Sequence, residues 1–517
     1  MAALGFRADE RAAPLHGGAL VLLTLAVALA TFMEVLDISI VNVSVQTIAG
    51  NLGVTPSEGT WAISAYSLAS AVMQPLTGWI SRRYGEVRTF CVSVALFVVF
   101  STACGFAASM PMLVVLRLLQ GLVSGPMVPL SQALLLRNYP EEKRSLATGL
   151  WAMTVVVAPI FGPILGGWIT DNYSWPWIFF INVPVGVAAL LLAFFLLRER
   201  ESRTQRVPVD AIGLFLLAVG VGSLQFMLDK GNENDWFSSP MITALGIVAL
   251  VCLSFLIPWE IVEENRVVNL LLFRRRNFLV GVTALTFGMF AFFGGTVVLP
   301  RWLQDVMGYN ATWAGLAIAP IGVLSFLFSP LVGALQSRLE LRLLVSLGFF
   351  VFAFASFWAS HFTEEVSYFT VVLPRFVQGF GVAMFFVPVN QILLSGLGAD
   401  EVASASGLAN FFRTLASSVS TAVTTTLYDH RATFHHARLA ENVQAGAPAL
   451  VDYLQPLQHG GLGGLAPYAA VDQVMTLQAQ TLAVNDVLWL FGCVFAAIAL
   501  LIWLAKPPFG ASGAAPG

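Results

Sequence analysis

The chain has 517 residues, of which 57% are hydrophobic and only 11% are charged, and its formal net charge is -3. This composition excludes an ordinary soluble globule, and the slightly negative charge argues against nucleic acid as a partner. The few charges fall in short clusters between long apolar runs, so the sequence predicts an all-α integral membrane protein whose loops carry most of the charge.

A membrane helix needs about 20 mostly apolar residues, and scanning at that length predicts fourteen helices. Their approximate spans are 19–46, 58–81, 89–108, 112–136, 146–169, 177–197, 210–228, 240–261, 278–300, 312–335, 342–360, 367–395, 404–427 and 485–505. Arginine and lysine are concentrated in the loops of one side. The positive-inside rule therefore predicts that both termini are cytoplasmic, and it supports an even number of helices.

The first predicted helix carries two carboxylates, Glu34 and Asp37, in the stretch TFMEVLDISIVNVS. An ionisable group inside the bilayer is costly and marks a candidate functional site. The two residues are three positions apart and share a helix face. Burial and a nearby like charge both favour the neutral form of a carboxyl group, so one of them could load and release a proton. The alternative is a structural ion pair that locks helix 1 against helix 4.

Helix 4 contains Arg117, which would favour the ionised form of a nearby carboxylate. We therefore predict Asp37 as the main proton-coupling residue, Glu34 as a second titrating or cation-recognising group, and Arg117 as the modulator of their protonation. Other polar residues of the helices are candidates to line a central substrate cavity, although interhelical hydrogen bonds worth about 1 kcal/mol are the alternative role. These candidates are Asn42, Gln46, Gln120, Gln378, Asn390, Asn410 and Arg413.

Glycine and proline residues indicate where helices approach closely. Helix 5 contains APIFGPILGGWI, and the candidate conformational residues there are Gly162, Pro163, Gly166 and Gly167. Proline removes a backbone hydrogen bond and glycine permits close approach, so we expect a kinked, tightly packed helix at a rocking interface, or else a purely structural kink. Between helices 2 and 3, Gly78 and Gly85 frame the charged turn of GWISRRYGEVR.

The sequence also repeats internally. Arg117, Gln120 and Gly121 recur as Arg375, Gln378 and Gly379 at an offset of 258 residues, and ATGL (147–150) recurs as ASGL (405–408) at the same offset. Duplicated halves are common in transporters. We predict an N-terminal tail (1–18), a six-helix bundle (19–197), a linker with two inserted helices (198–277), a second bundle (278–505) that includes an outer segment (428–483), and a C-terminal tail (506–517).

The outer segment contains four of the six histidines and is expected to form short amphipathic helices. His430, His435 and His436 lack the ligand spacing of a specific metal site, so we interpret them as solvated surface residues and predict no metal. The four cysteines lie in apolar runs, where they are expected to be packing residues rather than disulfides.

Several motifs together resemble a known family. GPILGG resembles the antiporter motif of the major facilitator superfamily, RLLQG its helix-4 arginine motif, and LDISIVNV the helix-1 motif of its fourteen-helix drug:proton antiporters of the EmrB/QacA type. GWISRRYGEVR resembles the superfamily's loop motif, with Arg82 where an acidic residue is usual.

This resemblance implies a major facilitator fold of fourteen transmembrane helices in the bacterial inner membrane, working by alternating access. It implies proton-coupled efflux of hydrophobic toxic compounds or antibiotics, driven by the proton gradient with no cofactor. It further implies a tripartite pump, with an EmrA-like periplasmic adaptor and a TolC-like outer-membrane channel as partners. The outer segment would then be a plausible docking surface for the adaptor.

Two other functions remain open at the level of sequence. One is a dedicated exporter of a physiological cargo, such as a siderophore or a lipid. The other is a membrane scaffold or sensor that keeps the fold without transporting. An enzyme is not expected, because no set of nucleophile, base and orienting residue and no phosphate-binding loop stands out.

Overall fold

The computed structural model describes residues 13–205, 208–336, 339–441, 443, 448–459 and 465–509, and this part of the chain is helical without β-strands. The α-helices in chain order are α1 (Gly17–Leu52), α2 (Pro56–Gly59), α3 (Trp61–Tyr84), α4 (Glu86–Gly105), α5 (Met110–Ser124), α6 (Met127–Asn138), α7 (Arg144–Asn172), α8 (Trp177–Phe180), α9 (Asn182–Leu197), α10 (Ala211–Lys230), α11 (Pro240–Val262), α12 (Arg276–Asp305), α13 (Ala311–Ile318), α14 (Pro320–Leu335), α15 (Leu341–Ala359), α16 (Tyr368–Leu394), α17 (Ala399–Glu441), α18 (Pro448–His459) and α19 (Ala466–Leu501). The predicted all-α class is confirmed.

Eleven helical segments within the described residues are long and apolar enough to cross a membrane, so the protein is a multi-pass membrane protein. Three further long helices, α3, α7 and α17, occupy the other predicted spans. These helices pack closely on their neighbours: α3 lies against α5 and against α17, and α7 lies against α1 and α14. A helix surrounded by other helices needs less apolar surface than one that faces lipid.

Proline divides two of the predicted spans. The predicted helix 112–136 is α5 followed by α6, with Gly125 and Pro126 between them, and the predicted helix 312–335 is divided between Ala319 and Pro320. Proline has no backbone N–H and cannot continue the helical hydrogen-bond ladder. Because the predicted helix 112–136 is interrupted, the first backbone N–H groups of α6 have no carbonyl acceptor within their own helix, as at any helix start.

The outer segment differs from its prediction. Instead of short separate helices throughout 428–483, α17 continues to Glu441 and α19 already begins at Ala466, leaving α18 as the one short helix among the described residues there. Arg431 Nε and His435 Nε2 both lie 2.6 Å from Asp486 Oδ2, and these contacts join the extension of α17 to α19 at the start of the predicted span 485–505. Alanine-rich sequence favours helix beyond the apolar core, which is why hydropathy alone places the helix ends too early.

We call the helices within 19–197 the first half and those within 278–505 the second half, and the two halves meet at one end. We call it the basic end: α3, α6 and α9 finish there, and Arg137 Nη1 lies 3.1 Å from Glu86 Oε2. Near it, α3 crosses α17 so closely that a Cβ added to Gly78 would lie 2.5 Å from Ser404 Cβ. Gly78, predicted to frame the charged turn between helices 2 and 3, therefore lies at a contact between α3 and α17.

The second contact between the halves at the basic end joins α7 to α14. A Cβ added to Gly149 would lie 2.8 Å from the Ser329 backbone oxygen, and α14 presents Gly333 beside it. Glycine on both helices therefore permits backbone-to-backbone packing. The basic end is closed by two glycine-mediated crossings, α3 with α17 and α7 with α14.

A buried glutamate organises the turn between α3 and α4. Glu201, which follows α9, accepts hydrogen bonds from the backbone amides of Val87 (2.9 Å) and Arg88 (2.8 Å) and so caps the start of α4. Gly85 has φ +95°, and a Cβ there would lie 2.6 Å from Glu201 Oε1. An acid from a distant part of the chain thus serves this turn, where Arg82 replaces the acidic residue usual in the resembled motif.

We expect Glu201→Ala to lower the free energy of unfolding by about 1–2 kcal/mol, because two buried amides at a helix start lose their acceptor. The midpoint of thermal unfolding of the detergent-solubilised protein measures the effect. Glu199→Ala is the matched control, because Glu199 is exposed and pairs only loosely with Arg198, at 3.7 Å. An equal loss in both variants would contradict the capping role.

Candidate functional site

Asp37 lies at the centre of a fully buried polar cluster in the first half. Its Oδ2 accepts a hydrogen bond from Arg117 Nη1 at 2.5 Å. Its Oδ1 accepts from Asn182 Nδ2 at 2.9 Å and from Gln120 Nε2 at 3.3 Å. Helices α1, α5 and α9 therefore converge on one carboxylate, and both of its oxygens are engaged.

Arg117 is held by more than its ion pair. Its Nε donates to the Ala62 backbone oxygen at 3.0 Å and its Nη1 also to Gln120 Oε1 at 2.8 Å. The guanidinium lies 4.2 Å from the centroid of the Tyr66 ring, a favourable cation–π position. Its Nη2 has no hydrogen-bond partner among the described residues. These contacts hold the cation in place independently of the charge on Asp37.

Asn182 is the member of the cluster that the sequence did not single out. It is the first residue of α9, and its Nδ2 also lies 3.0 Å from the Ser101 hydroxyl, which donates to the Phe179 backbone oxygen at 2.9 Å. A lone asparagine in the apolar stretch WIFFINVPVG was the available signal. Hydropathy could not assign it a partner, because its contacts come from distant parts of the chain.

Glu34 lies one turn before Asp37 and is buried, with Oε2 lacking a hydrogen-bond partner in the described structure. Its carboxyl group faces the backbone amide of Val128 and the charge of Arg413. Val128 is the second residue of α6, so Glu34 sits at the start of the helix that follows the break in helix 4. Arg413 belongs to α17 in the second half. Glu34 therefore interacts electrostatically across the two halves.

The seven cavity candidates separate into two groups. Asn42 and Gln46 are exposed and lie four residues apart on one face of α1, and Arg413 is half-buried. The other four are buried and hydrogen-bonded: Gln120 to Asp37 and Arg117, Gln378 to Arg375, Asn390 to the Phe386 carbonyl, and Asn410 to the Ser406 carbonyl. In this conformation these four make the interhelical and local bonds of the alternative interpretation, because a buried amide needs partners.

Predicted helix 5 corresponds to α7, and two of its glycines pack against a helix of the first half rather than between the halves. A Cβ on Gly162 would lie 2.2 Å from Ser39 Oγ, and one on Gly166 would lie 2.9 Å from Ile40 Cγ1, both on α1. Gly167 faces open space, and the side chain of Pro163 lies outside the described part of the structure. Closer to its start, α7 meets α14 of the second half at Gly149.

Three of the four histidines of the outer segment, His430, His435 and His436, lie among carboxylates. His436 Nε2 is 3.0 Å from Asp472 Oδ1, His435 contacts Asp486, and His430 lines an open surface pocket with Asp235 and Asp429. No group of three side chains suited to hold a metal ion occurs among the described residues.

The fold and these buried charges define a multi-pass helical membrane protein with ionisable groups in its interior, a class that includes secondary transporters. Residues 27–421 match the Major Facilitator Superfamily, and this chain belongs to that family. The superfamily typically comprises transporters rather than enzymes.

Among its relatives, the chain is 47% identical over 505 residues to the Multidrug export protein EmrB of Escherichia coli (strain K12), covering 98% of this chain and 99% of the relative. It is 45% identical over 500 residues to the Fatty acid resistance protein FarB of Neisseria gonorrhoeae, covering 97% of this chain and 99% of that protein.

Solved structures share the fold. The human organic anion transporter MFSD10 has a TM-score of 0.58 at 12% identity, with 94% of this chain and 100% of the other covered. The proton:xylose symporter XylE has a TM-score of 0.57 at 14% identity, with coverages of 94% and 95%. At these identities the likeness concerns the fold alone.

Proposed function

We propose that this protein is a proton-coupled multidrug efflux antiporter that exports hydrophobic toxic compounds or antibiotics by alternating access. The observation that carries the proposal is the fully buried Asp37–Arg117 pair, which joins two helices of one bundle inside the membrane. The similarity to multidrug export proteins supports the class of substrate.

The pair suggests how a proton would be coupled to movement. A proton on Asp37 removes the negative charge that compensates Arg117, whereas the ionised carboxylate restores the ion pair. Breaking a buried pair costs about 3–5 kcal/mol, which is enough to shift the balance between two conformations. Arg117 keeps its hydrogen bonds to Ala62 and Gln120 in both states. The guanidinium therefore stays in place while Asp37 alternates between a protonated form and an ionised form that pairs with it.

Alternating access would use the crossings of the basic end. In the described conformation α3 meets α17 and α7 meets α14 there, so the basic end is closed. Opening it requires these two contacts to separate, and the substrate would then leave or enter on the basic side. The glycines at the crossings keep the surfaces smooth enough for the halves to part and rejoin.

The molecular setting completes the proposal. Fourteen transmembrane helices form two six-helix bundles, 19–197 and 278–505, with inserted helices in 198–277, and the basic end and both termini face the cytoplasm from the inner membrane. The proton gradient drives transport without a cofactor. An EmrA-like periplasmic adaptor and a TolC-like channel extend the export path, with the outer segment as the adaptor's docking surface.

Substrate-triggered proton flux in proteoliposomes tests this function. Purified protein is reconstituted with a pH-sensitive dye inside, a proton gradient is imposed, and a panel of hydrophobic drugs, uncouplers, fatty acids and siderophores is added. Flux with several unrelated drugs is expected. Flux with only a siderophore or a lipid would instead identify a dedicated exporter, and pH-independent ligand binding without any flux would identify a scaffold or sensor.

We expect Glu34→Gln to reduce export of cationic compounds more than export of neutral ones. Glu34 is a buried carboxylate whose Oε2 has no hydrogen-bond partner in the described structure, and its charge would attract a cation at the junction of the halves. Initial rates for a cationic and a neutral drug in the same liposomes measure the ratio. Glu365→Gln, in an exposed loop, is the control. An unchanged ratio would remove Glu34 from substrate recognition.

We expect replacement of residues 443–464 by a glycine–serine linker to abolish co-purification of the adaptor. This change removes α18 but keeps the contacts of Arg431 and His435 with Asp486, which hold the extension of α17 against α19. Drug-triggered proton flux by the isolated protein should be retained, and it serves as the control for folding. Adaptor binding at wild-type level would place the docking surface elsewhere.

A further inference from the structure

The second half contains a buried arginine that has no compensating acid among the described residues. Arg375 on α16 repeats Arg117 of the first half and is only 3% exposed. Its Nη1 donates to Gln378 Oε1 at 2.8 Å, as Arg117 does to Gln120. Its Nε and Nη2 have no hydrogen-bond partner among the described residues, and no described carboxylate acts on its charge.

The missing acid has an identifiable position. In the first half, α1 presents Asp37 to Arg117; in the second half, α12, the first helix of that bundle, presents Gly295 to Arg375. A Cβ added to Gly295 would lie 3.3 Å from Arg375 Nη1, with no other atom within contact distance. The second half therefore keeps the arginine and its glutamine partner, but it has Gly295, which lacks a side chain, where the first half has the carboxylate of Asp37.

Space remains beside the guanidinium. A small cavity is lined by Gly295, Ser356, Arg375 and Gln378 together with phenylalanine rings, and it has room for about one water-sized group. The Ser356 hydroxyl accepts from Gln378 Nε2 at 3.3 Å. The described structure gives its own hydrogen no acceptor, so it can donate into the cavity.

We propose that this cavity binds a single small monovalent anion, chloride under cellular conditions, which provides Arg375 with the counter-charge that Asp37 provides for Arg117. A lone cation buried among apolar side chains is unfavourable, and an anion held by charged donors compensates it. The unused Nε and Nη2 donors of Arg375 and the Ser356 hydroxyl are the kinds of group that hold an anion. The proposal does not depend on the transported substrate.

The first test measures thermal unfolding of the purified full-length protein in sodium chloride and in sodium gluconate at equal ionic strength. Gluconate is too large for the cavity, so the wild type should unfold at a higher temperature in chloride, with a midpoint that rises with chloride concentration. Gly295→Asp supplies a tethered carboxylate where the structure has room for one. We expect this variant to unfold at the same temperature in both salts and above the wild type in gluconate.

Arg375→Gln is also expected to lose the chloride dependence, because the cation is removed. Chloride dependence that persists in both variants would mean that the ion binds elsewhere, and no dependence in the wild type would mean that water alone fills the cavity; either result overturns the proposal. Crystals grown in bromide provide a direct measurement. An anomalous peak beside the Arg375 guanidinium in the wild type and none in Gly295→Asp is the expected result.

Discussion

Asp37→Asn is expected to abolish substrate-triggered proton flux in proteoliposomes and to reduce drug export to the background of empty liposomes. Asparagine has nearly the shape of aspartate, but its single carbonyl oxygen can replace only one of the two carboxylate oxygens that accept from Arg117 and Asn182, and it cannot bind and release a proton. The charge of Arg117 would then be permanently uncompensated at a position that is fully buried. The variant should therefore lose the alternation between a protonated and an ion-paired state on which coupling depends.

Three measurements separate this loss from misfolding. Drug binding measured by tryptophan quenching should persist in Asp37→Asn, because the carboxylate is buried behind its hydrogen-bond partners. Glu365→Gln, an exposed carboxylate in a loop, should retain full flux. The double variant Asp37→Asn/Arg117→Gln should regain thermal stability relative to the single variant, since it removes the unpaired cation, but it should remain uncoupled. Normal flux in folded Asp37→Asn would remove this residue from the coupling path.

Gly78→Val is expected to hold the basic end apart and to block transport in a folded protein. A Cβ at this position would lie 2.5 Å from Ser404 Cβ and 2.7 Å from its Cα, a separation that requires the backbones of α3 and α17 to move. Overpacking of this kind typically costs about 1–3 kcal/mol. The cost falls on the conformation in which the basic end is closed, so the population should shift toward the conformation in which it is open.

Gly407→Val approaches the same crossing from the other helix, because a Cβ there would lie 2.5 Å from the Gln74 backbone oxygen, and it should have the same effect. Gly222→Val is the matched control, since a Cβ at Gly222 meets nothing within 4 Å. Spin labels at Tyr84, the last residue of α3, and at Gly398, which directly precedes α17, would report the separation of the basic ends of α3 and α17 in a variant whose native cysteines are replaced by serine. An unchanged distance with normal export in Gly78→Val would show that the crossing is not part of the transport cycle.

The coarse architecture followed from sequence because it depends on local properties. Apolar length places most of the helices, since the bilayer requires about 20 apolar residues wherever a chain crosses it. Internal repetition related Arg117 to Arg375 without any coordinates. Helix ends were less predictable, because α17 and α19 extend past the apolar core as alanine-rich helices. Arg431 and His435 of α17 contact Asp486 of α19, and no hydropathy signal predicts these contacts.

The sequence predicted which charged residues belong to the site, but it did not predict which side chains hydrogen-bond to them. Glu34, Asp37 and Arg117 stand out because an ionisable residue in an apolar run is rare. The ligands of Asp37 could not be read in the same way, because Asn182 is 145 residues away and resembles any polar residue of a packed helix. The buried state of Gln120, Asn390 and Asn410 was likewise undetermined, since an amide in a membrane helix serves a cavity or a neighbouring helix equally well in sequence.

By itself, the sequence determined that this chain is a helical membrane protein with motifs that recur along the chain and with carboxylates and arginines in its apolar runs, because composition and spacing are properties of the chain. Only the tertiary structure decided which of those charges compensate one another. Arg117 and Arg375 share the same Arg-x-x-Gln-Gly motif, yet Arg117 faces Asp37 whereas Arg375 faces Gly295 and a small cavity. The energy of a buried charge depends on what lies within a few ångströms of it, and those neighbours come from helices that are distant along the chain.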